Sequence, residues 1–81
     1  MVAELEADMD QDISTRARQL VGMALERGWS SEVLRSHARD CAARLMQTGE
    51  RAYQREIASS MAAAEVVAQV EARQAAIARR A

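Results

Sequence analysis

Apolar residues recur along this chain at steps of three and four, the signature of helices with one buried side. The first row runs Ile13, Ala17, Leu20, Val21, Ala24, Leu25, with Arg16, Arg18, Gln19 and Glu26 between. Val2, Leu5 and Met9 extend it backwards, so the pattern predicts a helix that starts near residue 3 rather than at an Asp12 cap. Gly28 stands where the residue after a helix adopts the left-handed conformation. Ser30 then has the place and chemistry of an N-cap, and Trp29 and Leu34 have the spacing of a hydrophobic staple. Residues 28–32 therefore read as a tight helix–helix corner.

A second helix is predicted from about Ser31 to Gln47, with Leu34, Ala38, Cys41, Ala42 and Leu45 as its buried seam. Beyond Gly49 the apolar face moves by about 100° around the axis. That phase change predicts a kink or break at Thr48-Gly49-Glu50, with one unbroken helix as the alternative. The last segment, about Glu50 to Arg79, is apolar on more than one side. A helix of that kind is packed on more than one side, and a single short hairpin does not cover it.

The expected fold is all-α, a helical hairpin or three-segment helical bundle with a long C-terminal helix, completed by dimerisation. Residues 1–81 form one small domain, with residues 1–12 as an acidic N-terminal arm. The expected dimer or partner interface is Tyr53, Ile57, Met61, Ala64, Val66, Val67, Val70 and Ile77.

Composition agrees. The chain has 81 residues, 3 glycines and no proline. Alanine supplies 18 of its residues, and Val, Leu and Ile together only 14. Domains this small are marginal alone and need a staple. One cysteine makes no internal disulfide, and one cysteine with one histidine falls short of the usual zinc ligand set. Association between chains is the remaining staple. Alanine excess with arginine as the sole basic residue is the composition of GC-rich coding, which suggests a bacterial or phage source.

The net charge is -1, unevenly spread. Glu4, Glu6, Asp8, Asp10 and Asp12 occupy the first twelve residues with no base among them. The start has neither the basic region nor the apolar core of a secretion signal. The most apolar stretch, Met61 to Val70, is too short for a bilayer. A cytoplasmic location is expected.

Candidate chemistry is sparse. His37, with Asp40 three residues on, lies off the apolar seam and reads as a surface histidine. Cys41 reads as a small buried hydrophobe. Trp29 is a staple residue first and a possible partner anchor second. Arg35 and Arg39 are i,i+4 neighbours, and Arg44, Arg51 and Arg55 form one stripe if the helix continues through Gly49; these five suit phosphate contacts, but acids interleave with them. No metal, cofactor or catalytic constellation is expected. The leading expectation is a non-enzymatic protein-interaction module, an adapter, regulator or inhibitor acting as a helical homodimer. The alternative is a nucleic-acid accessory protein using the arginine-lined face.

Overall fold

The computed structural model describes the backbone of residues 2–80 and the side chains of residues 12–80. Every described element is a helix: α1 (Val2–Arg27), α2 (Ser31–Thr48) and α3 (Arg51–Arg80). α1 starts early, as its extended apolar row predicts. The side chains of Glu4, Glu6, Asp8 and Asp10, most of the acidic arm, lie outside the described residues.

Both helix breaks are made by glycines in the left-handed region, Gly28 at φ +73° and Gly49 at φ +70°. At the first, the Trp29 N–H donates to the Ala24 carbonyl at 2.9 Å, the long bond of a Schellman ending. Ser30 follows in extended conformation, and its Oγ accepts from the Val33 N–H at 3.4 Å, capping α2. A second acceptor reaches the same helix start from across the fold: Glu71 Oε2 of α3 takes the Ser31 N–H at 3.4 Å. A carboxylate there suits the positive end of the α2 dipole. At the second break the Gly49 N–H donates to the Leu45 carbonyl at 2.7 Å. Thr48 Oγ1 donates to the Arg44 carbonyl and accepts from the Glu50 N–H, so the three-residue bend is closed locally. The chain breaks here, and the unbroken-helix alternative does not hold.

Cross-helix pairs define the arrangement. Asp12 meets Arg55 and Arg16 meets Glu56 at one level, and further along Ala24 and Leu25 line a cleft with Val67, Val70 and Glu71, so α1 and α3 run parallel. Ser31 meets Glu71, Ser60 Oγ meets the Leu34 carbonyl, and His37 meets Glu56, so α2 runs antiparallel to α3. α3 packs along both other helices, while α1 and α2 barely touch each other. The molecule is elongated, 53 × 28 × 17 Å.

The core is Leu20 and Ala24 of α1, Leu34 of α2, and Ala63, Ala64 and Val67 of α3, with Val21 and Trp29 at its margin. Ala38 and Cys41 extend it along α2. α3 buries only small or β-branched residues: Ser59, Ser60, Ala63, Ala64 and Val67. Small side chains let its axis approach both neighbours. The two serines are buried with their polar atoms engaged. Ser59 Oγ lies within donating reach of the Arg55 and Ile13 carbonyls, and Ser60 Oγ donates to Leu34. Among the described residues no buried side-chain nitrogen or oxygen lacks a partner, as buried polar groups require.

Three sequence expectations need correction. Leu25 is 55% exposed, because it stands about 100° round the helix from the buried Ala24 and lines an open cleft beside Val67, Val70 and Glu71 of α3. Leu45 is half-buried rather than core, since it belongs to the last turn of α2, beyond Cys41, where the buried seam ends. Ala64 and Val67, placed on an intermolecular surface, are 1% and 2% exposed within the single chain. α1 and α2 together cover that side of α3, which takes both residues out of any partner's reach.

Candidate functional site

Glu56 of α3 is the point where all three helices meet through polar atoms. Its carboxylate accepts from Arg16 Nε at 3.1 Å and Arg16 Nη2 at 3.0 Å, a two-armed pair with α1. It also accepts from His37 Nε2 of α2 at 3.0 Å. A carboxylate is an acceptor only, so His37 must present its proton at Nε2. Burial pushes the Glu56 carboxyl up, but the hydrogen bonds from Arg16 and His37 together outweigh it and hold it below its ordinary range. Arg16 is correspondingly held more firmly protonated, first by its hydrogen bond to Glu56.

Cys41 lies one turn beyond His37, with Sγ 3.8 Å from the same Nε2. Cysteine, histidine and glutamate in contact invite comparison with a thiol relay, but the connectivity is wrong for one. A relay uses one ring nitrogen for the thiol and the other for the carboxylate. Here both contacts converge on Nε2, whose proton points at Glu56. Burial raises the Cys41 thiol above its usual range, and the neighbouring Glu56 charge raises it further. The arrangement keeps the sulfur protonated and inert. It joins the three helices and lacks the parts of a nucleophile.

Trp29 is half-buried, packed on the core and lying 5.3 Å under the Arg27 guanidinium, a cation–π contact. It is thus a structural staple, as its spacing predicts. One side of it stays open on a groove of about 260 Å³ between α1 and α2, lined by Leu20, Met23, Trp29, Val33 and Leu34, with Arg16 and His37 at one end. The groove exists because α1 and α2 diverge on the side away from α3. A second cleft, about 310 Å³ between α1 and α3, is walled by Asp12, Arg16, Arg55 and Glu56. Its charges already satisfy one another.

The candidate arginines are not one stripe. Arg35 and Arg39 both hold Glu32, at 3.8 and 2.6 Å, and these bonds keep that exposed carboxyl below its ordinary range, Arg39 contributing most. Arg55 holds Asp12 at 3.4 Å. Arg44 stands on α2, while Arg51 and Arg55 stand on α3 beyond the Gly49 break. The continuous helix that would align them is absent.

Of the residues expected at an interface, Tyr53, Ile57 and Val70 are half-buried against the fold, and Ala64 and Val67 are core. Met61, Val66 and Ile77 remain exposed, at 44%, 45% and 68%. The role of Glu56 is missed by periodicity, because a glutamate between arginines reads as surface charge. The sequence signal for it is its helical phase: it lies one turn before Ser59 and Ser60, on the buried side of α3. No group of three or more candidate metal ligands occurs among the described residues, and no described helix is long and apolar enough to cross a membrane. Comparison with protein-family models, with curated proteins and with solved structures finds no match to this chain.

Proposed function

We propose that the chain is a non-enzymatic protein-interaction module, an adapter, regulator or inhibitor, acting as a homodimer in the cytoplasm. One observation carries this reading: large apolar side chains stay exposed on a molecule whose core is built largely of alanine and serine. Leu25, Val33, Met61, Val66 and Ile77 are each more than two-fifths exposed, and Val33 stands on a groove with Leu20, Met23, Trp29 and Leu34, the contiguous kind of apolar surface that marks interaction sites. The α1–α2 groove offers an apolar floor with Trp29 at one wall, a shape suited to an apolar anchor from another protein. The nucleic-acid alternative has less support, because Arg35, Arg39 and Arg55 are already paired with acids.

Two measurements test the proposal. Light scattering at micromolar concentration should return twice the 8.9 kDa chain mass. Affinity capture from cells of its source, with unmodified protein beside Val33→Asp, should retain a protein that the variant loses while circular dichroism stays unchanged. Val33 is exposed on the groove wall, so a charge there blocks docking without touching the core. Identical captures, with no nucleic acid or protein specific to either, would refute the adapter role.

A further inference from the structure

α1 and α2 barely touch, so the wedge between them has two sides. α3 fills one. The other is the groove of about 260 Å³, lined from α1, α2 and their corner, with no residue of α3. Small-molecule sites enclose about 300–1,000 Å³; this one is smaller and only partly enclosed. It suits a side chain delivered by another helix, seated opposite α3 as α3 itself is seated.

Charge around the groove selects the kind of helix. The α1 row beside it is Arg16, Leu20, Met23 and Arg27, at steps of four, three and four; the α2 row is Val33 and His37, one turn apart. Neither row carries an acid. The middle is apolar, and each end has a cation. At one end Arg16 lines the groove, while its partner Glu56 does not. Glu56 and Gln19 take three of the five guanidinium N–H groups, which leaves two for another acceptor. At the other end Arg27 lies over the Trp29 ring, and among the described residues no carboxylate pairs with it. Arg16 and Arg27 are eleven residues apart, about 16 Å or three turns of helix.

We propose that the α1–α2 groove seats an acidic amphipathic helix of a partner protein. A large apolar side chain enters over Leu34 beside Trp29, and carboxylates about three turns apart meet Arg16 and Arg27. The proposal rests on the interaction-module reading and names the partner's chemistry. Helices bind grooves in this way through apolar anchors at helical spacing. The anchor beside Trp29 supplies affinity; the flanking charges select the partner and speed its encounter.

Trp29 is the sole tryptophan, so its emission reports on the groove directly. The probes are three capped, alanine-based helical peptides without tryptophan. One has leucines on one face between glutamates eleven residues apart. The second replaces the glutamates with lysines, and the third replaces the leucines with glutamines. Each is titrated into the unmodified full chain, Arg27→Glu and Val33→Asp, with circular dichroism to show that the variants keep their helices. The glutamate–leucine peptide should shift the Trp29 emission saturably and bind at least about tenfold tighter than the lysine peptide. Arg27→Glu should erase that preference, and Val33→Asp should abolish binding. Equal binding of the glutamate and lysine peptides, or a preference that survives Arg27→Glu, would overturn the acidic partner. A glutamine peptide that binds as well as the leucine one would overturn the apolar anchor. Binding by none of the three would overturn the helix seat, while the interaction-module reading would still stand on a protein captured by the parent and lost by Val33→Asp. A homodimer that Val33→Asp dissociates, read by light scattering, would put a second copy in the groove and overturn the proposal as well.

Discussion

Leu34→Ala is the sharpest test of where the core lies. Leu34 is 1% exposed, the most deeply buried of the described leucines. The change removes three carbons beyond Cβ; at about 0.8 kcal/mol per buried carbon the transfer loss is about 2.4 kcal/mol. A cavity adds about 24 cal/mol per Å³ where surrounding atoms cannot relax into it. Here that addition is small, because Leu34 also forms part of the floor of the α1–α2 groove, and the vacated space opens onto it. The expected loss is about 2.5–3 kcal/mol, near the low end for such truncations. For 81 residues the whole stability is roughly 4–12 kcal/mol, so the variant retains a fold but a weakened one. Its melting temperature should drop by roughly 10–24 °C. The assay is urea unfolding followed by helical circular dichroism, at one fixed protein concentration because association would shift the midpoint. Met46→Ala, at a position 90% exposed, is the control and should be near neutral. A loss below about 1 kcal/mol for Leu34→Ala, with an unchanged urea slope, would refute the placement of this core.

Other outcomes follow from the same geometry. Gly28→Ala and Gly49→Ala should each cost about 1–2 kcal/mol, since both glycines have positive φ and open space around the added carbon, making the penalty one of backbone alone; equal melting of either variant and the parent would refute this. Glu56 has a folded-state pKa below its unfolded value, so the unfolded chain binds more protons as acid is added. Its contribution is complete above the ordinary carboxylate range and is lost as pH falls through the folded value. Glu56→Gln should therefore flatten the acid limb of a stability–pH curve, and an acid limb identical to the parent's would count against it. Cys41, 5% exposed with its thiol pushed up by burial, should react with a thiol reagent only as fast as the protein opens; labelling at the free-thiol rate in native buffer would contradict its burial.

The parts of this fold that sequence announces are those where one residue's chemistry leaves no choice. Gly28 and Gly49 mark the two breaks because positive φ favours glycine, and Ser30 marks the start of α2 because a hydroxyl must take an orphan N–H. Leu34, Ala38 and Cys41 follow from helical spacing. The packing of α3 is less legible. Hydropathy assigns a helix's inside by its large apolar residues, and on α3 that rule favours Ile57, Met61 and Ile77 over Ser59 and Ser60. The serines win because their hydroxyls donate hydrogen bonds to backbone carbonyls, Ser59 toward Arg55 and Ile13 and Ser60 to Leu34, and because their small size brings three axes together. The interface expectation failed at Ala64 and Val67 for the same reason: periodicity finds an apolar face, but not which neighbour covers it. Glu56 was hidden because its partners Arg16 and His37 are 40 and 19 residues away in sequence.

The meagre contact between α1 and α2 has a consequence for synthesis. The corner at Gly28 places these helices in order, but nothing holds them together until α3 arrives between them. Ribosomes add about 5–20 residues per second, so the 30 residues of α3 take roughly 1.5–6 s to follow. Throughout that interval the growing chain carries Leu20, Ala24 and Leu34 uncovered, as a loose pair of helices rather than a half-finished bundle. Released fragments that end at Glu50 should therefore be cut by protease along both helices and bind holdase chaperones, and resistance should appear in a single step in fragments that extend well past Val67.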